Sequence, residues 1–105
     1  MVVVWSPNAK DTLKSIFDYY LHAAGRKIAE KITGRIRHEA RALGTMPLMA
    51  PKEEQLPGNI YRSLLVNRKF KVIYRVNEAK KRVEIITLFD CRQDPDKMRE
   101  GIGES

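Results

Sequence analysis

Residues 61–90 read YRSLLVNRKFKVIYRVNEAKKRVEIITLFD, and this stretch decides the fold. Three runs rich in β-branched and aromatic residues, Tyr61–Val66, Phe70–Val76 and Val83–Phe89, predict three strands. The connections at 67–69 and 77–82 are short, which favours an antiparallel meander. The carboxyl-terminal half of the chain is therefore expected to be a small antiparallel sheet.

The middle strand of this meander alternates between apolar and basic residues. Its apolar set is Phe70, Val72, Tyr74 and Val76. Because successive side chains of a strand point to opposite faces, Lys71 and Arg75 are expected on the other face, so one face is core and the other is charged. We expect Arg62 and Arg92 to join them in a concave basic surface that could hold phosphates, the alternative being an ordinary exposed basic face.

The amino-terminal half predicts a strand followed by two helices. Val2–Trp5 forms the strand, and Ser6 with Pro7 is suited to start a helix, as N-cap and first helical residue. Steps of three and four residues predict two apolar stripes: Ala9, Leu13, Ile16, Phe17 and Tyr20, then Ile28, Ile32, Ile36, Ala40 and Leu43. The second helix should end before Gly44 as its C-terminal cap, and the two should form an antiparallel hairpin. The predicted fold class is α+β.

The remaining segments are less regular. Three prolines and Gly58 predict a loop over 45–60, which Met46, Leu48, Met49 and Leu56 are expected to hold against the core. Asp94-Pro95 can start a short helix through Met98, and 101–105 should fray. Since 105 residues suit one modest core, we expect a single domain spanning 1–105.

The net charge of +7 and the pI of about 9.8 favour polyanions, such as nucleic acid or an acidic protein segment, as partners. The charge is concentrated between residues 61 and 82, which hold eight basic residues and one acidic residue. The basic residues are Arg62, Arg68, Lys69, Lys71, Arg75, Lys80, Lys81 and Arg82. Solvated surface lysines and arginines are the alternative explanation of the same pattern.

Other residue patterns mainly exclude function classes. Cys91 is the single cysteine, so no internal disulfide or zinc site is expected, and a cytoplasmic location is favoured. No apolar run approaches the ~20 residues of a membrane-spanning helix, so no membrane association is expected. His22 and His38 lack partners at metal-ligand spacing, so no metal and no cofactor are expected. Tyrosines at 19, 20 and 74 could stack on bases, although periodicity favours core packing for Tyr20 and Tyr74.

The order of elements resembles the RelE/ParE toxin superfamily over nearly the whole chain. "WSPNAKDTLKSIFDYY" looks like the family's opening strand and helix, "RKIAEKITGRI" like its second helix, and "LGTMPLMAP" like its loop. "YRSLLVNRKFKVIYRV" is the most specific match, because the family has an arginine-containing strand followed by a strand ending in Tyr-Arg-Val. "ITLFDCRQDP" is similar to the closing strand with its arginine.

The resemblance implies the toxin of a type II toxin–antitoxin system, silenced by a cognate antitoxin in a hetero-oligomer. RelE-like members cut mRNA on the ribosome, whereas ParE-like members inhibit DNA gyrase. Residues Arg62, Lys71 and Arg92 match basic positions that would be catalytic if the chain were RelE-like. Together with Arg68, Lys69 and Arg75, the same residues are candidates for binding the target or phosphates, although Arg75 could belong only to the solvated face.

Two departures favour the ParE-like subgroup. Leu64 stands where cutting members can carry a second lysine, and Met98 lies near the position of their carboxyl-terminal tyrosine. The expected function is therefore gyrase inhibition, with a ribosome-dependent endoribonuclease as the alternative. A second alternative is a non-toxic module that binds nucleic acid or the antitoxin.

Overall fold

The protein is described here by a computed structural model that covers residues 1–103. Its elements are strand β1 (Val2–Trp5), helix α1 (Pro7–Ala24), helix α2 (Arg26–Arg41), strand β2 (Arg62–Val66), strand β3 (Phe70–Asn77), strand β4 (Arg82–Asp90) and helix α3 (Asp96–Gly101). Short 3-10 turns lie at Ala42–Gly44 and Pro57–Asn59. The α+β prediction is confirmed, and no helix among residues 1–103 has the length and apolar character needed to cross a membrane.

The four strands form one mixed sheet in the order β1-β4-β3-β2. Strands β2, β3 and β4 are the expected antiparallel meander, with Leu64 opposite Val72 and Val72 opposite Leu88. Strand β1 pairs in parallel with β4, an arrangement that the local sequence pattern did not predict. The register shifts between Ile73 and Tyr74, where β4 carries an extra residue.

The helix hairpin begins and turns where the sequence indicated. The Ser6 hydroxyl accepts a bond from the Ala9 N–H at 3.0 Å, and Pro7 occupies the first turn of α1. Gly25 alone separates α1 from α2 and has φ of 93°, a conformation that favours glycine. This single left-handed residue reverses the chain, so the two helices pack against each other.

The buried stripe of helix α2 begins one position later than the sequence predicted. Ile28 is 40% exposed, whereas Ala29, Thr33, Ile36 and Ala40 are buried, so the prediction for Ile28 is wrong. Thr33 can lie inside because its hydroxyl donates to the Ala29 carbonyl at 2.9 Å. Gly44 has no left-handed conformation and is not the expected cap. A Cβ on Gly44 would lie 2.7 Å from the Met1 carbonyl oxygen, so glycine permits close packing there.

Both faces of the sheet carry apolar clusters. The helix face, defined as the face packed against α1 and α2, holds the main core, including Leu13, Ile36, Phe70 and Tyr74. The outer face, on the opposite side, carries a smaller core formed by Leu56, Tyr61, Ile73, Phe89 and Met98. The sequence pattern predicted a charged face on the side of β3 that carries Lys71, Ile73 and Arg75. This prediction is wrong in part, because α3 and the segment before β2 cover the part of the outer face around Ile73.

The loop before β2 is held by backbone and polar contacts more than by its large apolar side chains. Met46, Leu48 and Met49 are exposed, so the prediction that they anchor the loop is wrong, while Leu56 is buried as predicted. The Pro51 carbonyl accepts a bond from Ser63 N–H at 3.1 Å, so the loop pairs along the outer edge of β2.

The carboxyl-terminal segment is more ordered than expected up to residue 103. Gly101 packs on Thr87, since a Cβ there would lie 2.8 Å from the Thr87 side chain. Fraying at Gly101 is therefore a wrong prediction, while Glu104 and Ser105 lie outside the described residues.

Candidate partner-binding groove and basic residues

The helix hairpin and β1 enclose an open groove of about 1060 Å³, called the hairpin groove below. Its floor is apolar and is formed by Val3, Trp5, Leu13 and Phe17. Its rim is basic and is formed by Lys10, Lys14, Arg37 and Arg41, with Asp18 as an acidic member. An apolar floor beneath a cationic rim is complementary to an amphipathic segment that carries acidic residues.

Helical spacing builds this groove directly from the sequence. Lys10, Lys14 and Phe17 follow at steps of three and four on α1, and Arg37 and Arg41 lie one turn apart on α2. Within the described part of the chain, Lys14 pairs with Asp18 at 2.9 Å, while neither Arg37 nor Arg41 has a carboxylate within 4.0 Å. The rim therefore keeps a net positive charge.

The structure divides the predicted basic surface between the two faces of the sheet. Arg62 lies opposite Tyr74 in the register and therefore shares the helix face, whereas Lys71 lies opposite Leu65 and belongs to the outer face. Arg75 lies opposite Glu84, also on the outer face. The sequence pattern predicts which residues of β3 share a face. It does not predict the register of β2 against β3, so it could not show that Arg62 and Lys71 lie on opposite faces.

Lys71 is neutralised by a carboxylate that sequence reasoning missed. Its Nζ donates to Glu53 Oε1 at 2.6 Å, and the Glu53 side chain is only 5% exposed. Burial alone would raise the pKa of Glu53, but the bonds from Lys71, the Gln55 backbone and Ser63 outweigh it and hold this pKa below its usual value. Glu53 comes from the irregular loop, so no periodicity marked it as a partner.

Arg62 and Arg75 also have partners. The Arg62 Nη1 donates to the Ala50 carbonyl at 2.7 Å, which ties the loop to β2. Arg75 Nε and Arg82 Nε donate to the two oxygens of Glu84 at 2.8 and 2.6 Å. The bond from Arg75 is the main reason that the pKa of Glu84 falls to about 2, against an opposing effect of burial. The spacing of Arg82 and Glu84, two residues apart on one strand face, was a signal available in the sequence.

Arg68, Lys69 and Arg92 gather at a third place, where β3 begins and β4 ends. Asn67 and Arg68 have φ of 54° and 57°, and the Lys69 N–H donates to the Val66 carbonyl, which defines a tight turn. The Cys91 N–H donates to the Lys69 carbonyl at 2.8 Å and holds this turn beside Arg92. Three of the six candidate residues are thus close to one another, whereas Arg75 lies further along β3, opposite Glu84.

Comparison with known proteins agrees with this architecture. Residues 3–95 match the family described as the ParE toxin of the type II toxin-antitoxin system parDE. A solved chain from the chromosomal ParDE TA system of P. aeruginosa is 25% identical, with a TM-score of 0.74 over 86% of this chain and 95% of that one. A comparison with curated proteins returned no match. The expected resemblance is confirmed, and the chain belongs to the ParE toxin family of type II toxin–antitoxin systems.

Proposed function

We propose that this toxin acts by binding and inhibiting DNA gyrase, and that an antitoxin silences it by occupying the hairpin groove. The observation that carries the first part is the separation of Arg62 from Lys71 on opposite faces of the sheet. A phosphodiester-cleaving site needs its cations and its general base within hydrogen-bond reach of one phosphate. The arrangement of these residues favours a toxin that works by binding.

The ion pairs support the same proposal. Lys71 bonds to the buried Glu53, and Arg75 shares Glu84 with Arg82. A cation already paired with a carboxylate has less charge available for a phosphate, and exchanging its partner would leave a buried carboxylate uncompensated. Cleavage at Lys71 would therefore require the loop that carries Glu53 to move.

The groove supports an antitoxin as partner. Its volume of about 1060 Å³ leaves room for a peptide segment, and its floor of Val3, Trp5, Leu13 and Phe17 supplies the apolar contact area. Arg37 and Arg41, which have no carboxylate partner within residues 1–103, favour a segment with acidic residues flanking its apolar ones. Strand β1 also lies at the edge of the sheet beside the groove, where an extended segment could add main-chain bonds.

A pair of assays with the purified full-length chain tests the target. We expect inhibition of DNA supercoiling by gyrase, and intact mRNA on translating ribosomes under the same toxin concentrations. Cleavage of mRNA with unaffected supercoiling would overturn the gyrase proposal and favour the endoribonuclease. A third outcome is soluble expression that does not arrest growth, together with purified protein that has no effect in either assay. The chain would then be a binding module without toxicity.

A further inference from the structure

A second cavity, of about 520 Å³, lies between α1 and the end of β4, on the side of α1 opposite the hairpin groove. We call it the tyrosine pocket. Ile16, Phe70 and Leu88 contribute its apolar lining, and Tyr19, Tyr20 and Arg92 contribute its aromatic and cationic lining. Its volume falls within the range typical of sites for small organic groups.

Tyr19 is exposed at this pocket and is held by packing. The residue is 56% exposed, and its ring meets Tyr20 edge-on with centroids 5.0 Å apart. Tyr20 in turn packs on the buried Phe70 at 6.4 Å. The apolar stripe of α1 includes Tyr20 and not Tyr19, so the core does not require an aromatic residue at position 19. The core instead orients an exposed aromatic ring at the mouth of the pocket.

Arg92 places a cation beside this ring. Its guanidinium carbon lies 5.9 Å from the Tyr19 ring centroid. Two of its nitrogens, Nε and Nη2, donate to Asp90 at 3.1 and 2.7 Å, an interaction that orients the guanidinium plane. The Arg92 side chain also forms a hydrogen bond with the side chain of Tyr19, and it is 57% exposed. Donors for an anion therefore face solvent next to an aromatic surface.

Further charges around the pocket favour a polyanion. Arg68 and Lys69 are exposed on the turn that the Cys91 N–H holds beside Arg92. Carboxylates also lie here: Asp90 is paired with Arg92, Asp94 accepts the Asp96 N–H at 3.0 Å, and Glu53, near Cys91, is paired with Lys71. Arg68 and Lys69 are therefore exposed cations outside the pocket lining, available to further phosphates of a bound strand.

We propose that the tyrosine pocket binds a base of single-stranded nucleic acid, which stacks on Tyr19 while its neighbouring phosphate contacts Arg92. Stacking on an exposed aromatic ring next to basic residues is how proteins hold single strands without reading their sequence. A base inside a duplex is already stacked and cannot enter a pocket of this kind. The proposal does not depend on which target the toxin inhibits.

The first test is fluorescence anisotropy of labelled twelve-nucleotide oligothymidine and oligouridine with the purified full-length chain. We expect Tyr19→Ala to weaken binding on the order of 10-fold, because one stacking interaction is lost. Tyr19→Phe keeps the ring and should bind within about 3-fold of the original chain. Circular dichroism and urea unfolding establish that both variants are folded.

The second test separates Arg92 from general surface charge. Arg26 is a matched control, because it is also exposed and its guanidinium carbon also lies 5.9 Å from an aromatic ring, that of Phe17. Arg92→Ala should weaken binding and lower the slope of log affinity against log salt by about 0.7, the value for one single-strand phosphate contact. Arg26→Ala removes the same charge and should leave that slope nearly unchanged.

Three outcomes overturn the proposal. One is a Tyr19→Ala variant that binds as tightly as the original chain. Another is an equal loss of affinity for Arg26→Ala and Arg92→Ala, which would show a diffuse charge effect. The last is equal affinity for the single strand and for the matching duplex, or equally strong competition by polyglutamate at equal charge. Neither the duplex nor polyglutamate could supply an unstacked base.

Discussion

The hairpin groove and the outer face of the sheet both contain clustered cations, but they differ in what neutralises them. On the outer face, Lys71 and Arg75 bond to Glu53 and Glu84, both of which are buried. In the groove, Arg37 and Arg41 stand above an apolar floor without such partners among the described residues. The difference teaches that density of basic residues along the sequence does not locate a binding surface. The proposed antitoxin site instead rests on cations that lack a carboxylate partner among the described residues and that lie over an apolar floor.

The largest expected effect on stability comes from breaking the pair between Glu53 and Lys71 on the outer face. Glu53→Ala leaves Lys71 only a quarter exposed and without its carboxylate, so we expect a loss of about 2–3 kcal/mol in the free energy of unfolding. Urea denaturation measures this loss. The double variant Glu53→Ala, Lys71→Ala should recover part of it, because no unpaired charge remains. A loss below about 0.5 kcal/mol for Glu53→Ala would show that the pair is solvated and that Lys71 is free.

Reversing the charge of the groove rim should affect binding instead of stability. We expect Arg37→Glu with Arg41→Glu to weaken the complex with the antitoxin about 10- to 100-fold, since acidic groups would then meet like charges. Calorimetric titration against the cognate antitoxin measures the change. Lys27→Glu with Lys31→Glu is the matched control, because this pair has the same spacing on α2 but does not line the groove. Equal weakening by both pairs would contradict a specific role for the groove.

Much of the fold was predictable because local patterns carry it. The Ser6-Pro7 start, the break at Gly25 and the alternation of β3 each depend on a few neighbouring residues. Periodicity cannot show that a second layer covers part of the outer face. Ile73 was therefore placed on a charged face, although α3 and the loop bury it.

The site was less predictable than the fold for a related reason. Which basic residues lie together depends on the register between strands and on partners from distant loops. Glu53 reaches Lys71 across 18 positions of the chain, and Tyr19 meets Arg92 across a larger separation. Neither pair has a local signature. The sequence supplied the candidate residues, and only the tertiary contacts distinguish paired from available charges.

Acidification should reveal the outer-face pairs as a smaller, pH-dependent effect. The pKa of Glu84 is lowered to about 2, mainly by the bond from Arg75, so its contribution is present above its unfolded pKa of about 4.5 and is lost as the pH falls toward 2. We expect the loss to be about 1–2 kcal/mol, less than full linkage gives because both arginines are partly exposed. Unfolding curves between pH 5 and 2 measure it, and Glu84→Gln should flatten this dependence. An unchanged slope in Glu84→Gln would assign the acid sensitivity to Glu53 or Asp90, whose pKa values are also lowered.

The smallest expected effect concerns Asp18, the acidic member of the groove lining. Because it pairs with Lys14 on an exposed helix surface, Asp18→Asn should change the free energy of unfolding by at most about 0.5 kcal/mol. The same change frees Lys14 and should tighten antitoxin binding about 2- to 3-fold at low salt, an effect that screening removes at high salt. Glu30→Gln is the matched control, since Glu30 pairs with Arg26 at the same helical spacing outside the groove. Tighter binding in Asp18→Asn but not in Glu30→Gln would show that the net positive charge of the groove strengthens antitoxin binding. Weaker binding in Asp18→Asn would mean that the partner contacts this carboxylate with a cation of its own.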